Sequence, residues 1–419
     1  MKIWLVKLGE PLPGEGVRTR RMTVLATTLV EAGHEVVWWT SDWNHQKKCK
    51  RDVKAIQREA DKLGFRVEFI HAPPYGSNLS PRRLIHHAVF SGKLVRRLSS
   101  ESGRPALLWV CFPVTSVAMK ISRWAKSEQV KLVFDVRDVV PDVFVGAAPK
   151  GARPLIRFLT RPVSRAIGSA FSRADGIVAV SAGYLAWAEQ LTRASGPVPK
   201  LREVIALGYQ APADPPSWTD DNSSINVDAA STDNLIRIVF AGTLGRSYDL
   251  LTIIKTAERC LSTLPTVRFV IAGGGSGEPL VREAAERLTN LDYLGWLDAS
   301  ELHQLLSSSH AGLMAYREGA SQGLPNKIYE YMANGLVILN SLPGEAREFV
   351  DKHKIGINYT AESSRSLLDA IRNIVANKEA TLEMARNAAT LFSHEYSYEA
   401  VRARMRNFVE HVYHDDQRK

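Results

Sequence analysis

The segment from residue 321 to residue 335 combines the residue types that bind a phosphorylated ligand. A glycine loop runs through Pro325 into a predicted helix that stops at Asn334 and Gly335, the order in which prolines begin helices and glycines end them. The start of such a helix offers free backbone N–H groups and a partial positive charge to an anion, and Lys327 adds a full charge. This pattern predicts a diphosphate site.

Glu330 lies one turn further along the same predicted helix. A carboxylate there can accept hydrogen bonds from two ribose hydroxyl groups, whereas ordinary solvation is the alternative role. Tyr329, Tyr331 and Met332 favour the ligand role, because they leave little of the helix facing solvent. The residues of this segment that we expect to bind the ligand are Gly323, Leu324, Pro325, Asn326, Lys327 and Glu330.

Two further glycine turns follow predicted strands in the same half of the chain. The turn at residues 242–245 lets the backbone approach a phosphate, and Arg246 adds a fixed charge; a plain turn with a solvated arginine is the alternative. The turn at residues 273–277 lacks the spacing of a dinucleotide fingerprint, so we interpret it as backbone lining the site, with a flexible turn as the alternative. The expected ligand contacts are Gly242, Arg246, Gly273 and Gly274.

Arg137 and Asp138 leave the carboxyl end of a predicted strand in the first half, where open α/β sheets bind ligands. Asp138 can orient or deprotonate an attacking hydroxyl group, which makes it a candidate catalytic residue. A structural ion pair between Arg137 and Asp138 is the alternative. The histidines with no stronger claim to catalysis are His34, His86, His87 and His310.

Apolar runs alternate with amphipathic stretches along most of the chain. Strands that are apolar throughout are typical of a parallel sheet covered by helices on both faces, so the pattern predicts a doubly wound α/β fold. In the first half, strands are predicted at 2–8, 35–40, 66–71, 106–111, 131–135 and 176–181, and helices at 19–32, 81–98, 114–126 and 183–192. In the second half, strands are predicted at 235–241, 267–272, 311–315 and 336–340, and only helical patterns follow from 364 to 413.

Length and composition divide the chain into two domains. The 419 residues exceed what one core usually organises, and residues 211–234 have the polar, aperiodic composition of an exposed linker. We therefore place a first Rossmann-like domain at residues 1–210 and a second at residues 235–394. The last helix, at about 395–419, is expected to pack back on the first domain.

The net charge of +10 is unevenly distributed. Residues 1–210 contain 33 lysines and arginines against 17 acidic residues, which leaves 21 against 27 in the remainder, so the two parts carry +16 and −6. The basic half is expected to face an anionic partner, such as nucleic acid, phospholipid head groups or a phosphorylated substrate. A solvated basic surface is the alternative.

Cysteine content and hydropathy exclude several classes of protein. The 3 cysteines are scattered and form no CxxC pair, so neither a disulfide framework nor a zinc knuckle is indicated and a reducing cytoplasm fits best. The N-terminal apolar run is too short for a signal peptide. Because the sequence has no uncharged apolar run of about 18 residues, any membrane contact is expected to be peripheral.

These motifs resemble those of family 4 glycosyltransferases, which have the GT-B fold. Residues 325–335 are similar to the donor-binding helix of that family, and residues 134–142 resemble a segment of bacterial O-antigen and exopolysaccharide transferases. Further matching segments lie at 31–36, 240–242, 270–275 and 294–296.

The resemblance implies two Rossmann-like domains facing a central cleft and a retaining transferase that needs no metal or cofactor besides its nucleotide-sugar substrate. Basic side chains and helix dipoles would neutralise the diphosphate leaving group. By position, Glu330 would bind the donor ribose, and Arg246 with Lys327 would bind the diphosphate. The family commonly pairs two glutamates eight positions apart, and the position eight before Glu330 is Gln322, whose amide can bind a hydroxyl but carries no charge. The candidate catalytic residues are therefore Asp138, Gln322 and Glu330.

The loop at residues 11–20 corresponds to the glycine-rich loop that lies under the donor phosphates and beside the acceptor in this family, with a plain surface loop as the alternative. It adds Gly14 and Gly16 to the expected donor-binding residues. On the acceptor side, the resemblance and the strand-end argument together give Arg18, Arg137 and Asp138.

Two stretches of the basic half, at residues 80–97 and 150–161, mix bulky apolar residues with clustered arginines, as interfacial helices do. A lipid-linked acceptor would place this half against an anionic bilayer. We therefore expect transfer of a sugar from a nucleotide sugar, with UDP the expected nucleotide, to a lipid-linked saccharide in bacterial surface polysaccharide assembly. This would take place at the cytoplasmic face of the membrane, without a nucleic-acid partner. The alternatives are a nucleotide-sugar 2-epimerase of the same fold and a non-catalytic sugar-nucleotide-binding protein.

Overall fold

The computed structural model of the protein describes residues 1–16, 20–78, 80–210, 235–320 and 323–414. Arg18, Gln322 and the predicted linker at 211–234 lie outside the described residues. The chain forms two compact units: one combines residues 1–207 with the segment that begins at Val401, and the other is Gly208–Ala400.

The first unit alternates strands and helices, as its apolar and amphipathic stretches predict. Its strands are β1 (Lys2–Val6), β2 (Glu35–Ser41), β3 (Trp43–Asn44), β4 (Cys49–Lys50), β5 (Arg66–Ile70), β6 (Leu107–Phe112), β7 (Lys131–Val136), β8 (Gly176–Ala179) and β9 (Leu201–Val204). Its helices before the C-terminal segment are α1 (Arg21–Glu31), α2 (Val53–Lys62), α3 (Pro81–Ser100), α4 (Thr115–Ser127), α5 (Asp142–Ala147), α6 (Arg153–Phe171) and α7 (Ala182–Arg193).

Seven of these strands form one parallel sheet in the order β5-β2-β1-β6-β7-β8-β9, and β3 and β4 form a short antiparallel hairpin. Successive residues of β1 face opposite sides, so that Trp4 and Val6 lie in one core and Ile3 and Leu5 in the other. Helices cover both faces, which explains why the central strands are apolar throughout.

The second unit repeats this arrangement. Its strands are β10 (Ile236–Ala241), β11 (Val267–Ala272), β12 (Leu291–Gly295), β13 (Ala311–Met314), β14 (Val337–Asn340) and β15 (Gly356–Asn358). Its helices are α8 (Leu250–Thr263), α9 (Glu278–Arg287), α10 (Ala299–Ser307), α11 (Asn326–Ala333), α12 (Glu345–His353), α13 (Ser364–Ala376) and α14 (Lys378–Leu391).

The second sheet is also parallel, in the order β12-β11-β10-β13-β14-β15. The chain order of the strands reverses at β1, which lies between β2 and β6, and at β10, which lies between β11 and β13. Open α/β sheets bind ligands at the carboxyl edge of such a switch point. The predicted fold class, two doubly wound parallel sheets, is confirmed.

The last helix, α15 (Tyr398–His414), contributes its apolar face to the core of the first unit. Phe408 meets Trp109 of β6 edge-on, with ring centroids 6.1 Å apart. Arg402 donates to Thr28 and pairs with Glu31 on α1. The C-terminal helix is thus part of the first unit rather than of the unit that precedes it in sequence.

Candidate functional site

Helix α11 begins next to the carboxyl edge of the second sheet. Pro325 is its N-cap residue and contributes no side-chain capping hydrogen bond, while the N–H of Ile328 donates to the Pro325 carbonyl at 3.1 Å. The N–H groups of Asn326 and Lys327 precede that bond, in the turn where helical N–H groups have no intrahelical acceptor. The helix start predicted from the sequence is therefore present, and it can donate to an anion.

Lys327 lies buried beneath the end of β10. Its Nζ donates to the Ala241 carbonyl, and lies 3.9 Å from the ring centroid of Phe240 and 4.8 Å from that of Tyr248. Burial lowers the pKa of Lys327 to about 7, and the charge of Glu330 opposes this shift only in part. Lys327 is therefore poised between amine and ammonium near neutral pH, and a bound anion would favour the ammonium.

Glu330 is 9% exposed on the buried side of α11. The helix around it is fixed by its neighbour Tyr331, whose hydroxyl accepts from the Ala241 N–H at 3.1 Å and donates to the Leu313 carbonyl at 3.3 Å. Burial raises the pKa of Tyr331, so the hydroxyl keeps its proton. These bonds fix α11, and with it Glu330 and Lys327, to β10 and β13.

The two glycine turns of the second unit pack directly on each other. The Gly242 N–H donates to the Ala272 carbonyl and the Leu244 N–H to the Gly274 carbonyl, each at 2.9 Å. A Cβ on Gly273 would lie 1.8 Å from the Gly242 carbonyl oxygen. The N–H groups of Gly242 and Leu244 thus join the two turns, and the absence of a side chain at Gly273 is what lets the turns meet.

The other residues of the second unit that were predicted to bind the donor differ in exposure. Arg246 is exposed at the end of the first turn, and Gly274 is half-buried in the second. Gly323, Leu324 and Pro325 are half-buried ahead of α11, and Asn326 is exposed.

In the first unit, the loop that contains Gly14 and Gly16 is held by the residue between them. The Glu15 carboxylate accepts from the Leu12 N–H and from Asn44 Nδ2, each at 2.7 Å, and pairs with Arg51. Gly14 and Gly16 have φ angles of 86° and 72°, which glycine adopts without steric cost. Glu15 is a structural residue that the sequence analysis did not single out.

Arg137 forms its ion pair with Glu10, not with Asp138. Glu10 also accepts from the Met22 N–H at 2.9 Å, at the start of α1. Burial alone would raise the pKa of Glu10, but the charges of Arg137 and Lys7 and the Met22 N–H outweigh it and hold this pKa below its ordinary value. Glu10, which the sequence analysis missed, is therefore ionised and fixes the direction of the Arg137 guanidinium.

Asp138 is half-buried just after β7, and its Oδ1 accepts from the adjacent Val139 N–H at 2.9 Å. The buried carboxylate of the same strand is Asp135, which is bonded to Arg21 and to the Trp109 indole. Because Asp135 is fully engaged in the core, Asp138 is the carboxylate of this strand end that stays accessible to a substrate.

A pocket of about 290 Å³ opens at the carboxyl edge of the first sheet. Its wall combines the residues that follow β1, the β3–β4 hairpin, the start of α3 and Arg137. Among the described residues that line it, Glu10 is the one carboxylate against four cationic side chains. The pocket is thus strongly electropositive.

Three histidines line the same pocket. His86 and His87 lie three and four residues after Arg83, which puts all three on one face of α3. His45, on the hairpin, lies 2.6 Å from the Tyr75 hydroxyl through its Nδ1, and the Tyr75 ring meets His86 edge-on at 5.1 Å. His86 and His87 had no role predicted from the sequence; their spacing from Arg83 is the signal that groups them.

Residues 236–377 match the family model described as Glycosyl transferases group 1. The second unit contains a group 1 glycosyltransferase domain. A comparison with curated protein sequences gives no match.

Solved structures with the GT-B fold are similar to the chain over almost its full length. HepE from Anabaena, solved in complex with UDP, is 15% identical with a TM-score of 0.67, covering 98% of this chain and 99% of that one. Sucrose-phosphate synthase from Thermosynechococcus elongatus is 16% identical with a TM-score of 0.64 and the same coverage. WaaG, a glycosyltransferase involved in lipopolysaccharide biosynthesis, is 14% identical with a TM-score of 0.60, covering 97% and 99%. The GT-B fold and the glycosyltransferase class predicted from the sequence are confirmed.

Two kinds of feature are absent from the described part of the chain. None of its helices combines the length and apolar character needed to span a bilayer. No group of three or more His, Cys, Asp or Glu side chains there is placed to hold a metal ion.

Proposed function

We propose that this protein is a retaining family 4 glycosyltransferase that transfers a sugar from a UDP-sugar to a lipid-linked saccharide during assembly of a bacterial surface polysaccharide. The observation that carries the proposal is the buried start of α11, where Lys327 and Glu330 lie one turn apart inside the group 1 glycosyltransferase domain. Similar structures named as complexes with UDP and with UDP-glucose support the choice of nucleotide.

The donor is bound in this proposal by charge and by shape. The N–H groups at the start of α11 and the Lys327 ammonium contact the diphosphate, and the exposed Arg246 adds a second charge. Glu330 accepts hydrogen bonds from the ribose hydroxyls. These cationic groups stabilise the negative charge that develops on the leaving diphosphate, so the reaction is proposed to need no metal ion.

The acceptor is bound in this proposal by the first unit. Asp138 orients the attacking hydroxyl and receives its proton as the new glycosidic bond forms. Arg137, held by Glu10, adds a positive charge at the same strand end. Gln322 would bind a hydroxyl of the transferred sugar through its amide.

The test is release of nucleoside diphosphate from a panel of UDP-, GDP- and dTDP-sugars, with bacterial lipid extract as acceptor. We expect release from one UDP-sugar, dependent on the lipid and unchanged by EDTA. Glu330→Ala should lower the rate about a hundredfold, because two hydrogen bonds to a charged group are lost, whereas the exposed Glu383→Ala on α14 should not. The anomeric proton coupling of the product, measured by NMR, should show the donor configuration.

Two results would replace the proposal with the alternatives. Interconversion of UDP-sugar epimers without transfer would indicate a 2-epimerase. Binding of UDP-sugars without release under any acceptor would indicate a non-catalytic binding protein.

Peripheral attachment to the inner face of the cytoplasmic membrane is proposed from the surface of α6. Leu155, Phe158 and Leu159 are 60%, 64% and 64% exposed there, beside Arg157 and Arg161 on the same helix. On α3, Leu84 and Ile85 are 70% and 53% exposed. Large apolar side chains among arginines are the composition of a helix that lies in an anionic lipid interface.

Flotation with vesicles tests this attachment. Phe158→Asp with Leu159→Asp should release the protein from vesicles that contain phosphatidylglycerol, since two charges then enter the lipid interface. Trp296→Asp is the matched control, because Trp296 is 78% exposed but lies in the second unit. Equal release by both variants, or no binding of the unaltered protein, would refute a membrane role for α6.

A further inference from the structure

The pocket at the carboxyl edge of the first sheet is lined by more cationic side chains than anionic ones. Its Glu10 carboxylate already accepts from Met22 and pairs with Arg137. Among the described residues, the buried Nε of Arg83 and the buried Nε1 of Trp43 have no hydrogen-bond partner. The cationic residues of the wall are Lys7, Arg20, Arg83 and Arg137.

Arg83 has no carboxylate partner in the described structure. Its Nη1 donates to the backbone carbonyl of Asn78 at 2.8 Å, a neutral acceptor that positions the guanidinium without cancelling its charge. With the histidines neutral, the lining residues carry four positive charges against one negative charge, a net of +3. An excess of this size suits a ligand with two negative charges better than one with a single charge.

The imidazoles supply further donors. Lys48 Nζ can only donate, and it lies 3.5 Å from His45 Nδ1, so in the neutral ring Nδ1 is the acceptor and Nε2 carries the proton. His86 Nδ1 donates to the Pro73 carbonyl at 2.8 Å, which leaves its Nε2 to accept when neutral and to donate when protonated. His45 thus offers a donor when neutral, and His86 gains one at Nε2 when it is protonated.

Charged groups from several elements surround the histidines. Burial, together with Lys48, Arg83 and Lys7, lowers the pKa of His45 to about 4, and burial with Arg83 lowers that of His87 to about 4. Burial also lowers the pKa of His86, and Arg83 and His71 act in the same direction. The hydrogen bond to Pro73 and the charge of Asp42 oppose this shift. The charges around His45 and His87 all disfavour the protonated ring, and an anion in the pocket would oppose them.

We propose that this pocket binds a phosphate ester of the acceptor, with Arg83 as its main cationic ligand and His45, His86 and His87 as additional donors. The inference rests on the proposed function in one respect, namely that the first unit binds the acceptor. It deepens that function by placing a phosphate group of the acceptor between the carboxyl end of β1 and the start of α3. Anion binding then raises the pKa of His45 and of His87 from near 4, and that of His86 from its lowered value, so the affinity for an anion that does not itself titrate increases as pH falls from 7.5 to 5.5 and protons are taken up.

The probe is methyl phosphate, titrated into the full chain and followed through the histidine side-chain signals by NMR. We expect the signals of His45, His86 and His87 to shift together, and those of His34 and His310 to stay unchanged. Arg83→Gln should weaken binding at least tenfold. Arg82→Gln is the matched control, since Arg82 is the adjacent arginine but exposed, and should change binding less than twofold.

Proton uptake is measured with sulfate, which does not titrate in this range. Calorimetry at pH 6 in two buffers of different ionisation enthalpy should show uptake that disappears when His45→Asn, His86→Asn and His87→Asn are combined. No histidine shift at high millimolar probe, equal weakening by Arg82→Gln, or binding without proton uptake would each overturn the proposal.

Two further experiments are needed. One distinguishes an acceptor phosphate from a lipid head group, and the other distinguishes failure of this inference from failure of the proposed function. If Arg83→Gln lowers vesicle binding but leaves KM for a phosphorylated acceptor unchanged, the ligand is a membrane head group and the proposal is wrong. UDP affinity should be unchanged in Arg83→Gln. Methyl phosphate binding with no transfer to any acceptor would refute the proposed function alone, whereas transfer that ignores acceptor phosphate and Arg83 would refute this inference alone.

Discussion

The buried Lys327 couples donor binding to pH. Its pKa is lowered to about 7 in the free protein, and a bound diphosphate favours the ammonium, so UDP binding must protonate the fraction that is neutral. That fraction grows above pH 7, where UDP itself is already largely ionised. We expect the affinity for UDP to fall about tenfold between pH 7 and pH 8.5, measured by calorimetry.

Variants of Lys327 test this coupling through the change of UDP affinity with pH rather than through the affinity at one pH. Lys327→Arg keeps a charge at every pH of the range, and Lys327→Met removes it, so both should bind UDP with a flat profile above pH 7. The exposed Lys255→Met on α8 should keep the slope. A flat profile in the unaltered protein would show that the ammonium is present before the ligand arrives.

Single residues also show where sequence reasoning succeeds and where it stops. Lys327 and Glu330 were predicted because proline, lysine and glutamate stand at fixed helical positions. The partner of Arg137 was not, because Glu10 is 127 residues away and only the meeting of two strand ends brings them together. The contact of Lys327 with Phe240 and Tyr248 likewise depends on tertiary packing between α11 and β10.

At the scale of elements, the two glycine turns of the second unit are packed against each other and joined by backbone hydrogen bonds. A Cβ on Gly273 would lie 1.8 Å from the Gly242 carbonyl oxygen, and φ there is 134°. Gly273→Ala should therefore force the turns apart and cost about 3 kcal/mol or more of unfolding free energy. Urea denaturation followed by circular dichroism measures this loss.

The adjacent glycine provides the control for this prediction. A Cβ on Gly274 would meet its nearest neighbour, Glu278 Oε2, at 3.9 Å, so Gly274→Ala should change stability by less than about 1 kcal/mol. If both variants unfold at the same urea concentration as the unaltered protein, close contact between the turns is not what requires glycine at 273.

The predicted and the missed strands differ in their position in the sheets. The strands predicted from the sequence include all the central ones, whose residues are apolar because helices cover both faces. The missed strands of the two parallel sheets, β9, β12 and β15, lie at sheet edges, and β9 has intermediate or exposed residues throughout. The hairpin strands β3 and β4, of two residues each, were also missed. An edge strand is selected by pairing with its neighbour more than by its own composition, so the pattern carried little signal for it.

At the scale of the whole molecule, the first unit is assembled from both ends of the chain. Phe408 of α15 is 2% exposed and packs against Trp109, and a Cβ on Gly176 of β8 would lie 2.9 Å from the Phe408 ring. The core of this unit is therefore incomplete without α15. A strand glycine at 176, which by itself weakens a sheet, is explained by the close approach of this ring.

Removing the Phe408 ring should consequently destabilise β6 and β8, although they lie more than two hundred residues earlier. Phe408→Ala leaves a cavity in a closed core, for which a loss of about 3–5 kcal/mol is expected, whereas the exposed Arg406→Ala on the same helix should cost less than about 0.5 kcal/mol. Hydrogen exchange measured by mass spectrometry should show faster exchange in the peptides of β6, β8 and α15 for Phe408→Ala and none of this for Arg406→Ala. Faster exchange confined to α15 would mean that the sheet is complete without the helix, and that the C-terminal segment only covers a unit that folds from residues 1–207.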